Sequence, residues 1–131
     1  MKLLTRDTDY AVRALCFIAR MDNKVVPVPE LVRELDVPRP FLRKILQILH
    51  KKGILYSFKG KGGGFSLAKP PDKILITDLI KIFQNSLKLN ECILKKRICP
   101  NKGACSLRRK IDGIEKIVAK ELSSITVKSL I

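Results

Sequence analysis

Three cysteines stand close together in the chain: Cys92 and Cys99 have six residues between them, Cys99 and Cys105 five. Thiolates are soft donors for iron and zinc, and the neighbouring Lys95, Lys96, Arg97 and Lys102 favour the thiolate form and offset the negative charge of a bound cluster. Three thiolates fit an iron–sulfur cluster completed by one ligand of another kind, or an incomplete zinc site. Zinc ribbons carry close Cys-x-x-Cys pairs, and none occurs here. Spacing therefore puts iron–sulfur slightly ahead of zinc, with inert thiols as a third reading. Cys16, on a helical apolar pattern, is expected to be a small core residue and not a ligand.

A second constellation is basic. Arg39, Arg43, Lys44, Gln47 and Lys51 recur at intervals of three and four, so on a helix they emerge on one side. Arginine forks onto guanine, glutamine pairs with adenine, and lysine suits phosphate, which makes Arg39, Arg43 and Gln47 candidates for reading bases and Lys44 and Lys51 for gripping the backbone. Shortly after comes Lys59-Gly60-Lys61-Gly62-Gly63-Gly64, a Gly-rich tip with two cations. It is not a nucleotide-binding P-loop, because no Gly-Lys-Ser/Thr follows at the required spacing. His50, the single histidine, is expected to be a phosphate contact or plain surface. No acid and base pair around a nucleophile, so catalysis is not expected.

These residues need elements to hold them. Ala11, Val12, Ala14, Leu15, Ile18 and Ala19 predict a first helix over Thr8 to Met21, capped by Thr8 or Asp9. Val25-Val26-Pro27-Val28 reads as a short extended piece and Pro29 to Leu35 as a second helix. After the turn at Asp36-Val37-Pro38, a third helix runs from Arg39 to Lys52, with Phe41, Leu42, Ile45, Leu46 and Leu49 as its apolar stripe and Gly53 as its cap. Ile54 to Phe58 and Phe65 to Ala68 read as the two strands of a hairpin, closed off by Pro70-Pro71-Asp72. A fourth helix is expected after Thr77 as its N-cap, burying Leu79, Ile80 and Phe83.

Periodicity is lost from Leu89 to Ala104, the stretch that carries the cysteines. It returns as Leu107, Ile111, Ile114, Val118, Leu122 and Ile125, the narrow seam of a long helix that can pack against its own domain or against a second copy, its length relative to so small a body favouring the copy.

The order helix, strand, helix, turn, helix, hairpin is that of a winged helix-turn-helix, so the fold expected is mostly α with one small β-hairpin and a long C-terminal dimerisation helix. Residues 1–84 would form the DNA-binding region, 85–105 the cysteine-bearing loop and 106–131 the dimerisation helix and end, all in one compact unit. Composition agrees: 131 residues suit a single domain, and 27 Lys and Arg against 12 Asp and Glu leave a net charge of +15, which draws polyanions. Double-stranded DNA is the partner expected. No run of roughly 18 apolar residues suggests a membrane span, and the first residues lack a signal peptide's apolar core, so the cytoplasm is the expected compartment. In that reducing setting clustered cysteines point to metal or redox chemistry more than to disulfides.

With these residues in hand, the sequence resembles the IscR/NsrR/CymR family of bacterial transcription regulators over essentially its whole length. Asp9-Tyr10-Ala11-Val12-Arg13-Ala14-Leu15 is similar to the family's first helix, Phe41-Leu42-Arg43-Lys44-Ile45-Leu46 to its recognition helix, and Leu122-Ser123-Ser124-Ile125-Thr126 to the end of its dimerisation helix. The most specific match is the wing, Gly60-Lys61-Gly62-Gly63-Gly64-Phe65-Ser66-Leu67-Ala68.

The resemblance implies a homodimer that reads a palindromic operator, with Cys92, Cys99 and Cys105 ligating a [2Fe–2S] or [4Fe–4S] cluster. The IscR-like branch takes its fourth ligand from a histidine three residues after the third cysteine, where this chain has Arg108. The NsrR-like branch uses an aspartate in the partner subunit's first helix, and Asp9 matches that place. Arg43 stands where IscR has a glutamate tied to sequence discrimination, so the operator does not transfer. The function expected is a regulator, in the first place a repressor, that senses iron, redox or nitric oxide status through the cluster. The rival readings are a thiol or zinc switch on the same DNA-binding frame, and a regulator controlled by docking a metabolic enzyme, as in the cysteine-free branch.

Overall fold

The computed structural model describes residues 3–22, 24–85 and 106–131. Helix α1 spans Arg6–Arg20 and buries Ala11, Ala14, Leu15 and Ile18, the face set by the three-and-four spacing of its apolar residues. It begins earlier than the pattern of apolar residues suggests. The cap is Thr5, whose hydroxyl accepts from the Thr8 amide, and neither Thr8 nor Asp9 caps. Thr8 instead lies fully buried inside the first turn. A hydroxyl there must be satisfied, and it donates to Gln84 Oε1 at 2.8 Å. The same oxygen accepts from the Thr5 amide at 3.0 Å, and the Gln84 amide nitrogen donates to the Leu3 carbonyl at 3.2 Å.

Helix α2 (Val28–Leu35) carries a proline in its first turn, where a missing N–H costs nothing, and ends at Asp36 in the left-handed conformation. Helix α3 (Arg39–Lys51) follows across a short turn. Leu42, Ile45, Leu46 and Leu49 are buried, as the spacing predicts, but Phe41 is 49% exposed and lies off the core stripe. Each residue advances about 100° around a helix. Phe41 is thus a quarter-turn from Leu42, on the flank and not the buried face.

Strands β1 (Leu55–Phe58) and β2 (Gly64–Leu67) form the antiparallel hairpin, with Leu55 opposite Leu67 and Phe58 opposite Gly64. Val26 joins it as a one-residue bridge: its amide donates to the Phe65 carbonyl at 2.8 Å and its carbonyl accepts from the Phe65 amide at 3.0 Å. The stretch read as extended thus docks the hairpin to the loop between α1 and α2. Gly64 sits at this junction because nothing larger fits. A Cβ there would stand 2.2 Å from the Val26 carbonyl oxygen.

After a one-turn 3-10 helix (Pro71–Lys73), helix α4 spans Ile76–Gln84 and buries Ile76, Leu79 and Ile80. Its N-cap is Leu75, with no side-chain cap, so Thr77 is inside the helix and not at its edge. Phe83 is half-buried against the core.

Helix α5 spans Ser106–Leu122 and buries no residue within the chain. At Ser123 the chain turns, and residues 125–127 run back against 74–76. The Ile76 amide donates to the Ile125 carbonyl at 3.1 Å and the Val127 amide to the Ile74 carbonyl at 2.9 Å. Val127 is fully buried and, with Leu122 and Ile125 beside it, completes the core built by α1, α3 and α4. The seam therefore does not continue as helix to Ile125: its last two members fold onto the chain's own core.

Candidate nucleic-acid interface

The basic face of α3 and the base of the hairpin enclose a groove of about 330 Å³. Arg39, Arg43 and Gln47 line it from the helix, and Ser57, Phe58, Lys59 and Gly60 from the hairpin, with Pro27, Val28 and Pro29 at one end. Residues four apart advance by about 40° on a helix, so Arg39, Arg43 and Gln47 form one shallowly turning row. Lys44 and Lys51 are exposed on α3 but do not line the groove: Lys51 continues the same row one turn beyond Gln47, and Lys44 stands beside it. Lys61 is exposed at the hairpin tip, also outside it.

The five helix residues predicted to share a face thus divide into three that border the groove and two beside it. The wing lysines divide likewise, Lys59 lining the groove and Lys61 standing beyond.

No described carboxylate pairs with any of these cations. Three positive side chains, a glutamine amide and a serine hydroxyl converge where the hairpin meets the helix, in a groove whose glycines let backbone approach closely. Such a surface can donate hydrogen bonds to phosphates and base edges and offers no acid to repel them. His50 is exposed, and its Nδ1–H donates to the Leu55 carbonyl at 3.0 Å, tying the end of α3 to the start of β1.

The sequence pattern passed over Ser57 and Phe58, because they sit on a strand of alternating residues with no charge. It also passed over Lys52, Lys69, Lys73 and Lys81. These come from four separate stretches of the chain and meet around a second groove of about 300 Å³ that holds one acid, Asp78. No linear spacing could have signalled that cluster.

The profile of the Rrf2 family, described as an iron-dependent transcriptional regulator, matches residues 4–131. The chain belongs to the Rrf2 family. It is a transcriptional regulator of that DNA-binding family. It is 37% identical over 124 residues to an HTH-type transcriptional regulator of Aquifex aeolicus, covering 93% of this chain and 86% of the relative. With protein aau3 of Rhizobium meliloti the identity is 32% over 129 residues, covering 98% and 84%. Among solved structures, CymR, the global cysteine regulator of B. subtilis, superposes with a TM-score of 0.79 at 20% identity, covering 99% of this chain and 96% of that one. IscR of T. potens superposes at 0.76 and 22% identity, covering 99% and 85%. At these identities the superpositions establish the Rrf2 winged-helix fold.

Cys92, Cys99 and Cys105 lie outside the described residues, and among the described residues no group of three or more His, Cys, Asp or Glu side chains is placed to hold a metal ion. Cys16 is buried on α1, as expected of a core residue. Burial pushes its thiol pKa up, and the nearby Arg20 opposes this more weakly. Burial thus disfavours its thiolate form.

Asp9 is half-exposed in the first turns of α1, with its carboxylate 3.1 Å from Arg13 Nε one turn on. An exposed pair of this kind is worth at most about 1 kcal/mol, so a stronger ligand could recruit the carboxylate at little cost. Among the described residues no helix is long and apolar enough to cross a membrane.

Proposed function

We propose that this Rrf2 regulator is a homodimeric, cytoplasmic repressor whose three clustered cysteines hold an iron–sulfur cluster that sets operator affinity. The observation that carries the sensing half is the donor set: three thiolates within fourteen residues, among basic neighbours, in a chain whose family is described as iron-dependent. In this reading residues 1–84 read a palindromic operator, 85–105 bear the cluster and 106–131 pair the two copies. Asp9 of the second subunit completes the ligand set, [2Fe–2S] or [4Fe–4S], exchanging its bond to Arg13 for the metal. Bound there, the cluster would supply a redox- and iron-sensitive charge linking the cysteine-bearing segment of one subunit to α1 of the other.

The dimer surface in this reading is the outer seam of α5. Leu107 and Ile114 stay exposed in the single chain, Ile111 and Val118 are half-buried, and Ile117, absent from the predicted seam, is 65% exposed beside them. Leu122 is turned inward and anchors the helix to its own core. Within the groove of α3 and hairpin, Arg39, Arg43 and Gln47 read bases and Lys59 holds phosphate, while Lys44, Lys51 and Lys61 hold phosphates around it. No described constellation suggests catalysis.

The test is anaerobic purification with iron and acid-labile sulfide counted, followed by operator binding with the cluster present and removed. Stoichiometric iron and sulfide, lost when Cys92, Cys99 or Cys105 is replaced by Ala, supports the reading. Zinc in place of iron, or iron retained by the Cys→Ala variants, sinks it.

A further inference from the structure

The groove holds one side chain whose chemistry differs from its neighbours. Phe58, at the end of β1, is 47% exposed and lines the groove with Arg39, Arg43, Gln47 and Lys59. Its exposure is built into the hairpin register. Phe58 pairs across the ladder with Gly64, which has no side chain to cover the ring, and Gly64 cannot be enlarged because the Val26 carbonyl stands against it.

On the outer side Tyr56, two residues back on the same strand face, meets the Phe58 ring edge-on, with centroids 6.5 Å apart and planes at 64°. The ring is therefore held in place and left bare toward the surface on which cations converge. A benzyl group there makes no hydrogen bond to phosphate and adds nothing to the electrostatic attraction. What it can do is shed water against an apolar part of a nucleotide.

We infer that Phe58 is an apolar anchor for the bound duplex, packing on the C–H surface of a nucleotide: the C5-methyl of a thymine, or the face of a deoxyribose. This rests on the groove being the DNA surface. The two sources share one chemistry, and both predict a contribution to affinity that salt does not screen, unlike that of Lys59 one residue on.

The experiment uses the full-length protein and a duplex it selects from a random pool, with affinity measured over a salt series. Phe58→Ala should bind about tenfold more weakly at every salt concentration, the slope of log K against log salt staying that of the wild type. Phe58→Leu, which keeps apolar bulk, should recover most of the loss. Lys59→Ala should instead flatten the slope. Thermal unfolding of each variant checks that the hairpin is intact, and Phe58→Gln, a polar side chain of similar reach, replaces the Ala variant if that one fails to fold.

Deoxyuridine in place of thymine then separates the sources. If the wild type falls to the level of Phe58→Ala, the methyl is the contact; if it is unaffected while the Phe58→Ala loss persists, the sugar is. Binding by Phe58→Ala within twofold of the wild type, or a flattened slope like that of Lys59→Ala, overturns the inference. A wild-type protein that selects no duplex at all fails the DNA-binding reading itself, which is a different result.

Discussion

Gln84 shows how much of this molecule hangs on one side chain at the end of a helix. Its carbonyl oxygen accepts from the Thr5 amide and the buried Thr8 hydroxyl, and its amide reaches back to the Leu3 carbonyl, so the last residue of α4 holds the first turn of α1. Gln84→Ala should cost about 1–3 kcal/mol in urea unfolding, because it strands donors in a partly buried site; Gln84→Glu, which keeps the acceptor, should cost less. None of this was legible in the sequence. Thr8 reads as a cap until the fold shows a second threonine taking that role, and a glutamine 76 positions away has no periodic relation to it. The cations were legible, because helical spacing alone puts Arg39, Arg43 and Gln47 in a row. We expect Arg43→Ala to weaken binding to a selected operator more than to random duplex, and Lys61→Ala to weaken both while flattening the salt dependence. Equal losses on the two duplexes for Arg43→Ala would move it from base reading to backbone contact.

At the scale of elements, the hairpin and α5 make opposite use of their surroundings. The hairpin is pinned: β1, β2 and Val26 leave Gly64 no room, and Gly64→Ala should destabilise the protein by roughly 1–3 kcal/mol in thermal unfolding and weaken DNA binding in step. A variant as stable as the wild type would mean that Val26 is not held against the hairpin. The wing's glycines were conspicuous in the sequence, but their purpose was not. A Gly-rich tip suggests mobility, whereas at Gly64 the reason is the close approach of another strand. In α5 the spacing of Leu107, Ile111, Ile114 and Val118 correctly marked a helix with an apolar side, and among the described residues Leu107 and Ile114 stay exposed while Ile111 and Val118 are only half-buried. If the proposed dimer pairs through this seam, replacing Leu107 and Ile114 together by Lys should leave a monomer in sedimentation where the wild type sediments as a dimer, with the helical signal of the body intact. A dimer that survives this change would have to be held by some other surface.

For the molecule as a whole, the described elements form one core that no single stretch of sequence contains. Val127 lies in it with residues of α1 and α4, its backbone paired with Ile74 and Leu122 packed against the same core. Val127→Ala should cost about 1–2 kcal/mol by unfolding, as a buried branched side chain does when trimmed. A cost near zero would show that the pairing with Ile74 carries the contact by backbone alone. The sequence pattern extended the seam through Ile125 because the three-and-four steps persist there. It could not show that Ser123 and Ser124 break the helix, since the reversal is specified by the strand-like partner at residues 74–76.

That reversal bears on the order in which the protein is made. A ribosome that has released residues 1–84 has synthesised every helix and strand of the DNA-reading body, yet the body still lacks Val127 and the pairing at Ile74. Completion waits until the cysteine-bearing segment and α5 have also emerged. In the proposed reading, a half-made chain would be a poor competitor for the operator, and each regulator would reach DNA only once its sensor existed to restrain it.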